Sequence, residues 1–150
     1  MRRVISLWLP RFATDRLTRA KPAWQNRPLA LVLEARTRLG LTAVNRAAEA
    51  AGLRPGMALA DARALVPGLV VAPAHPPRDA KALDKLAAWC GRYSPWIATD
   101  ASVDTCGPGA GGSGGGGGLW LDATGCAHLF GGEEAMLTEL TDRIGGFGFA

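Results

Sequence analysis

Reactive side chains are sparse in this chain, and their spacing excludes more chemistry than it supports. Cys126 and His128 are one residue apart, with Cys90 and Cys106 upstream. A structural zinc site draws paired cysteines from one tight turn. No such pair is present, so Cys90 and Cys126 read as small core residues and His128 as part of a polar turn. No Ser-His-Asp or Cys-His arrangement for nucleophilic catalysis stands out. Residues 107–118 read GPGAGGSGGGGG, nine of them glycine. A phosphate-cradling loop would close on Gly-Lys-Ser/Thr. This run does not, and it reads as a flexible insertion spanning about 20 Å. Arg36 and Arg38 sit at the tip of an expected hairpin. They could touch nucleic-acid phosphate, which positions a protein without reading sequence, or form a solvated turn.

The elements that would position these groups follow from pattern. Val4–Leu9 is a short apolar run stopped by Pro10, which predicts a buried strand. Phe12–Ala20 has helical spacing and is ended by Pro22. Leu29–Glu34 and Leu39–Val44 are expected as a strand pair. Asn45 can cap a helix over 46–51, and Gly52 can end it. Ala58–Val66 predicts a second helix, Leu69–Ala72 a short strand and Asp79–Tyr93 an amphipathic helix. Residues 96–98 and 119–123 are expected as strands. Glu133–Ile144 is expected as a helix with acidic residues in its first turn. Four tryptophans, Trp8, Trp89, Trp96 and Trp120, have apolar neighbours and are expected in the core rather than as base-stacking platforms. Trp24 falls in a loop.

Bulk properties bound the rest. One domain, or one domain with an inserted lobe, suits 150 residues, given roughly 100–200 residues per domain. No apolar run approaches the ~20 residues of a membrane-spanning helix, and Pro10 and Arg11 break the first one too early for a signal peptide. The three cysteines form no disulfide framework, which fits a reducing compartment and a cytoplasmic protein. Residues 1–75 carry twelve Lys or Arg against four Asp or Glu, while residues 76–150 carry five against nine. A basic first half suits a polyanion such as nucleic acid. An arginine-rich solvated surface would look the same.

Three segments, in order, resemble the Y-family (translesion) DNA polymerases. They are ISLWLPRFATDRL, then PLALVLEARTRLGLTAVNRAAEAAGLRPGMALADARALVPGLVV, then WCGRYSPWIATD followed by GLWLDATGCAHLFGG. The SLWLP start and the GCAHLFGG turn are more similar to the ImuB-type branch, regarded as catalytically inactive. The resemblance implies an α/β (α+β) fold, a ferredoxin-like split βαβ palm with an inserted, mostly helical fingers lobe. Fingers would occupy residues 11–75 and palm residues 1–10 and 76–150. A thumb and a further DNA-binding domain would lie beyond residue 150.

The resemblance also says which residues should hold metal. Polymerases place two metal ions about 3.5–4 Å apart, and hard cations of that kind need carboxylates. The family's first-strand aspartates align with Trp8 and Pro10, and its Asp-Glu pair with Gly117 and Gly118. Asp122 matches a position that is not a ligand, and a strand-end turn suits it. Asp15 reads as a solvated helix residue. The tyrosine and arginine that hold the triphosphate align with Arg46 and Glu49. Arg46 could still bind phosphate, and Glu49 would repel it.

The expected function is therefore a non-catalytic polymerase-like adaptor in the bacterial DNA-damage (SOS) response, with no catalytic residue and no cofactor. The resemblance implies as partners damaged or primed DNA, an error-prone replicative-type polymerase, a RecA-like accessory protein and the sliding clamp, and no membrane. Two alternatives stand beside it. One is an active translesion polymerase that uses Mg²⁺ on displaced carboxylates from Asp100, Asp104 or Asp122. The other is a DNA-binding module without enzymatic activity.

Overall fold

A computed structural model describes residues 1–35, 38–100 and 116–149, with backbone only at residues 34, 35 and 38. The element order matches the pattern read from the sequence: β1 (Val4–Leu9), α1 (Phe12–Ala20), β2 (Leu29–Ala35), β3 (Arg38–Val44), α2 (Arg46–Ala50), α3 (Leu59–Leu65), β4 (Val70–Pro73), α4 (Pro76–Cys90), β5 (Ile97–Asp100), β6 (Gly117–Asp122) and α5 (Glu133–Gly146). Single 3-10 turns, Pro22–Trp24 and Ala127–Phe130, precede β2 and α5.

Two three-stranded sheets form, in the orders β1-β6-β5 and β3-β2-β4. The first is antiparallel throughout. Its order, first strand beside third and third beside second counted within the sheet, is that of a split βαβ unit. In the second sheet β2 and β3 form a hairpin, and β2 runs parallel to β4. The helices α2 and α3 make the crossover that such a parallel pair requires. The fold is α/β, as expected.

Alternation along β1 fixes which face is buried. Val4, Ser6 and Trp8 are exposed, while Leu9 is buried and Ile5 and Leu7 pack on the core. Beneath the first sheet lie Phe12, Leu83, Leu86, Met136, Leu140 and Ile144, from α1, α4 and α5. Each such side chain contributes about 1.5–3 kcal/mol through apolar burial. Phe12 also stacks on Phe149 at 5.0 Å between ring centroids. A separate core, built on Leu41, Leu53 and Leu59, joins the second sheet to α2 and α3. The ion pair Arg16 Nε–Asp79 Oδ1, at 2.5 Å, fastens α1 to α4.

Boundaries moved where proline and glycine chemistry outweighed periodicity. Helix α4 starts at Pro76 and not at Asp79, because a first-turn proline lacks only an N–H that would have no helical partner. It ends at Cys90, and Tyr93 lies in the turn that follows. Strand β6 starts at Gly117, so the last residues of the glycine run belong to the sheet. Residues 107–115 of that run lie outside the described residues.

The tryptophans need a larger correction. Of the four expected inside, Trp89 packs on the core, with its ring set edge-on to Phe147. Trp8, Trp96 and Trp120 are 51%, 74% and 45% exposed. Their apolar neighbours in sequence point to the opposite face, as period-2 alternation dictates. Trp24 is half-buried against the Ala13–Leu29 cluster, with the Lys21 ammonium 4.3 Å from its ring centroid.

Candidate nucleic-acid interface

The open face of the first sheet and the start of α2 meet at the end of β1. Every position that the family resemblance assigned to metal ligands lies here. Trp8 is the direct cross-strand partner of Gly118. A Cβ added at Gly118 would stand 3.6 Å from Trp8 Cε3, and one at Gly116 would stand 3.0 Å from Trp8 Cζ2. Opposite edges of the six-membered ring thus lie over two successive outward positions of the neighbouring strand. The indole lies over these glycines, and Gly118 is buried.

Gly117 points the other way. A Cβ there would stand 3.0 Å from Leu83 Cδ1 and 3.2 Å from Phe12 Cγ. Its lack of a side chain lets α1 and α4 approach the sheet. A carboxylate at this position would enter the core.

Among the described residues, the sheet register brings Asp100 to this corner. It is the cross-strand partner of Gly118 on the side away from Trp8. The glycine run lies between it and β6 in sequence, but β5 and β6 pair directly. Asp104 lies outside the described residues. Among the described residues no cluster of three or more His, Cys, Asp or Glu could hold a metal ion. Two hard cations need several oxygen ligands. Trp8, Pro10, Gly117 and Gly118 offer no side-chain oxygen, so this corner does not fit a two-metal centre.

Asp122 closes β6 as a turn former. Its Oδ1 accepts from the Thr124 N–H at 3.0 Å, and its Oδ2 from Arg2 Nε at 3.2 Å. Hydrogen bonds from Thr124, side chain and backbone, then the Arg2 charge, hold its pKa below the ordinary value. Asp15 is half-buried on α1.

The triphosphate-clamp positions behave differently from one another. Asn45 caps α2 by accepting from the Ala48 N–H at 2.9 Å. This sets Arg46 in the first turn, exposed and without an ion pair among the described residues. Glu49, one turn on, takes Arg11 as its partner at 2.5 Å. The hydrogen bond from Arg11 lowers the Glu49 pKa most. Burial opposes it, and the charges of Arg11 and Arg54 add to it. Arg54 donates to the backbone oxygens of Glu49 and Leu53, each at 3.0 Å. Arg11, Arg46 and Arg54 against Glu49 and Asp100 leave this corner with one net positive charge.

Arg11 escaped the sequence reading, and a signal for it was present. It occupies the N-cap of α1, where Ser, Thr, Asp or Asn is preferred. A cation there opposes the helix dipole. A cation at an N-cap asks for an acidic partner, and tertiary structure supplied Glu49. Arg36 lies outside the described residues. Arg38 opens β3 as the partner of Ala35, and its side chain lies outside the description.

Among the cysteines, Cys90 is fully buried, and desolvation pushes its thiol up to about 11. Cys126 is partly buried and His128 exposed. Cys106 lies outside the described residues. Among the described residues no helix is long and apolar enough to cross a membrane.

Known proteins bear on this arrangement. Protein ImuB of Caulobacter vibrioides, in two strains, is 45% identical over 97 residues, which make up 65% of this chain and 18% of that protein. The match spans less than a fifth of the length of those relatives. Among solved structures, a post-insertion binary complex of Dbh DNA polymerase superposes with a TM-score of 0.72 at 17% identity, covering 94% of this chain and 36% of that one. DinB from Sulfolobus solfataricus gives 0.69 at 15%, covering 98% and 38%. At such identities these likenesses speak for the fold alone. Residues 7–146 match the impB/mucB/samB (IMS) family model, and on that match the chain belongs to this family of Y-family-polymerase-like proteins.

Proposed function

We propose that this chain is the polymerase-like part of a non-catalytic adaptor in bacterial mutagenic repair. It holds damaged or primed DNA in the cytoplasm without extending it, as part of the SOS response. A separate error-prone replicative-type polymerase, a RecA-like accessory protein and the sliding clamp complete the assembly. The observation that carries the reading is Trp8. Its indole fills the corner where two metal ions would sit, over Gly116 and over Gly118, one of the two positions of the family's second carboxylate pair. The ImuB relatives support the DNA-damage setting.

Primer extension with Mg²⁺ or Mn²⁺, run alongside DNA binding at low and moderate salt, tests it. Salt-sensitive binding without incorporation is expected, because each neutralised phosphate releases counterions. Incorporation overturns the non-catalytic part, and salt-insensitive binding counts against contact through the basic first half.

A second reading, an active polymerase, is favoured by one observation, the placement of Asp100 beside Gly118. It requires extension that Asp100→Ala abolishes. The reading as a binding module alone requires DNA affinity with no response to the protein partners.

A further inference from the structure

The open face of the first sheet carries three tryptophans on one diagonal. Trp8 is opposite Gly118, and Trp120, two residues on in β6, is opposite Ser6 and Ala98. Trp96 lies opposite Asp122, whose N–H donates to the Trp96 carbonyl at 3.0 Å. Each successive pair of indoles is therefore a diagonal cross-strand pair, with about 7–8 Å between positions. That is about twice the 3.4 Å rise of stacked bases. Ser6, Ala98 and Gly118 fill the places between, and Asp100 stands beside Gly118 at the Trp8 end.

We infer that this face is a stacking platform for the unpaired bases of single-stranded DNA. The inference deepens the DNA-binding reading above and rests on it. Trp8 carries the geometric case. Ring atoms on opposite sides of its indole lie over Gly116 and Gly118, and half of its surface stays exposed. An exposed aromatic ring is what a base stacks on, whatever its identity.

Placement supports the same occupant. Sheets of the RRM class take two or three bases on aromatic residues of a four-stranded sheet. Here Trp8 and Trp120 stand on adjacent strands of a sheet with split βαβ order. Charge supports it too. Three residues beyond Trp8 begins the corner of Arg11, Arg46 and Arg54, which keeps one net positive charge when Glu49 and Asp100 are counted. Phosphates of a strand whose bases lie on the indoles would run towards it. Asp122, beside Trp96, already has Arg2 as its counter-ion.

Titration of the whole chain with oligo-dT and with a blunt duplex separates this inference from the broader one. Indole fluorescence should be quenched by oligo-dT. Trp120→Ala, which leaves the glycine bed untouched, should weaken oligo-dT binding about 5- to 100-fold while leaving duplex binding within about 2-fold. Trp120→Phe should recover most of the loss. Trp8→Ala should act likewise, with circular dichroism showing the fold intact. Oligo-dT affinity unchanged in Trp120→Ala, with duplex still bound, overturns the platform and leaves the DNA reading standing. Failure of both DNAs to bind overturns both. Self-association that Trp120→Ala abolishes, with oligo-dT affinity unchanged, assigns the face to a second copy and overturns the platform.

Discussion

Arg11 Nη2 and Glu49 Oε2 meet at 2.5 Å between the end of the first strand and the first turn of α2. Glu49 stands where active relatives were expected to hold triphosphate, so the acid that would repel a nucleotide is already satisfied from within the protein. The pair ties the strand end of one sheet to a helix of the other. Glu49→Ala should therefore cost about 1 kcal/mol at neutral pH, with more if Arg11 is left without its partner. Urea unfolding of both proteins measures this. A change of less than a few tenths would show that the pair fastens nothing.

The same carboxylate sets a pH dependence. Glu49 is held below its ordinary value of 4.5, and Asp122 below 3.8. A carboxylate whose pKa is lowered by folding contributes stability that is fully present above the ordinary value. The contribution is lost as pH falls through the folded value. Wild type should therefore lose stability below about pH 4.5 faster than Glu49→Gln, and the two unfolding curves should converge in acid. Parallel curves down to low pH would contradict the lowered pKa.

Restoring the family's carboxylate at Gly117 should break the fold before it builds a metal site. The inward position leaves 3.0 Å to Leu83 and 3.2 Å to Phe12 for a single Cβ. Gly117→Ala is expected to cost about 1–3 kcal/mol through overpacking. Gly117→Asp should cost more, about 3–5 kcal/mol, because it adds an uncompensated buried charge. Denaturation midpoints rank the series, and an aspartate variant as stable as wild type would refute the packing argument.

Asn45 does more than cap a helix. Its Oδ1 accepts from Leu29 and Ala48 N–H at 3.0 and 2.9 Å, and its Nδ2 donates to the Arg27 carbonyl at 2.8 Å. Asn45→Ala removes a cap and strands a buried N–H, for a loss of about 3 kcal/mol. Asn45→Asp keeps the acceptor and should lose less. Equal losses in the two variants would place the energy in the donor bond to Arg27.

Cys90 should resist thiol reagents in the native state. Its pKa of about 11 leaves little thiolate at pH 8, and the thiolate is the nucleophile. In a Cys106→Ser background, alkylation at pH 8 should label Cys126 first and reach Cys90 only in denaturant. Rapid native labelling of Cys90 would show that α4 opens easily.

By itself the sequence determined the order of elements and their apolar faces, because helix and strand periodicities are local. Proline stops and the Asn45 cap are local too. The Trp8, Pro10 and Gly118 substitutions at expected ligand positions were visible for the same reason, as residue types at fixed spacing from recognisable strands. Only tertiary structure decided what those residues became. The indole of Trp8 lies on glycines more than a hundred positions away, which no window along the chain can reach. The exposure of Trp96 and Trp120 hung on strand register, where one step exchanges the core face for the open face. Arg11 found Glu49, and Asp100 came to lie beside Gly118, because pairing across a sheet and between its lobes is set by the fold rather than by neighbours in sequence.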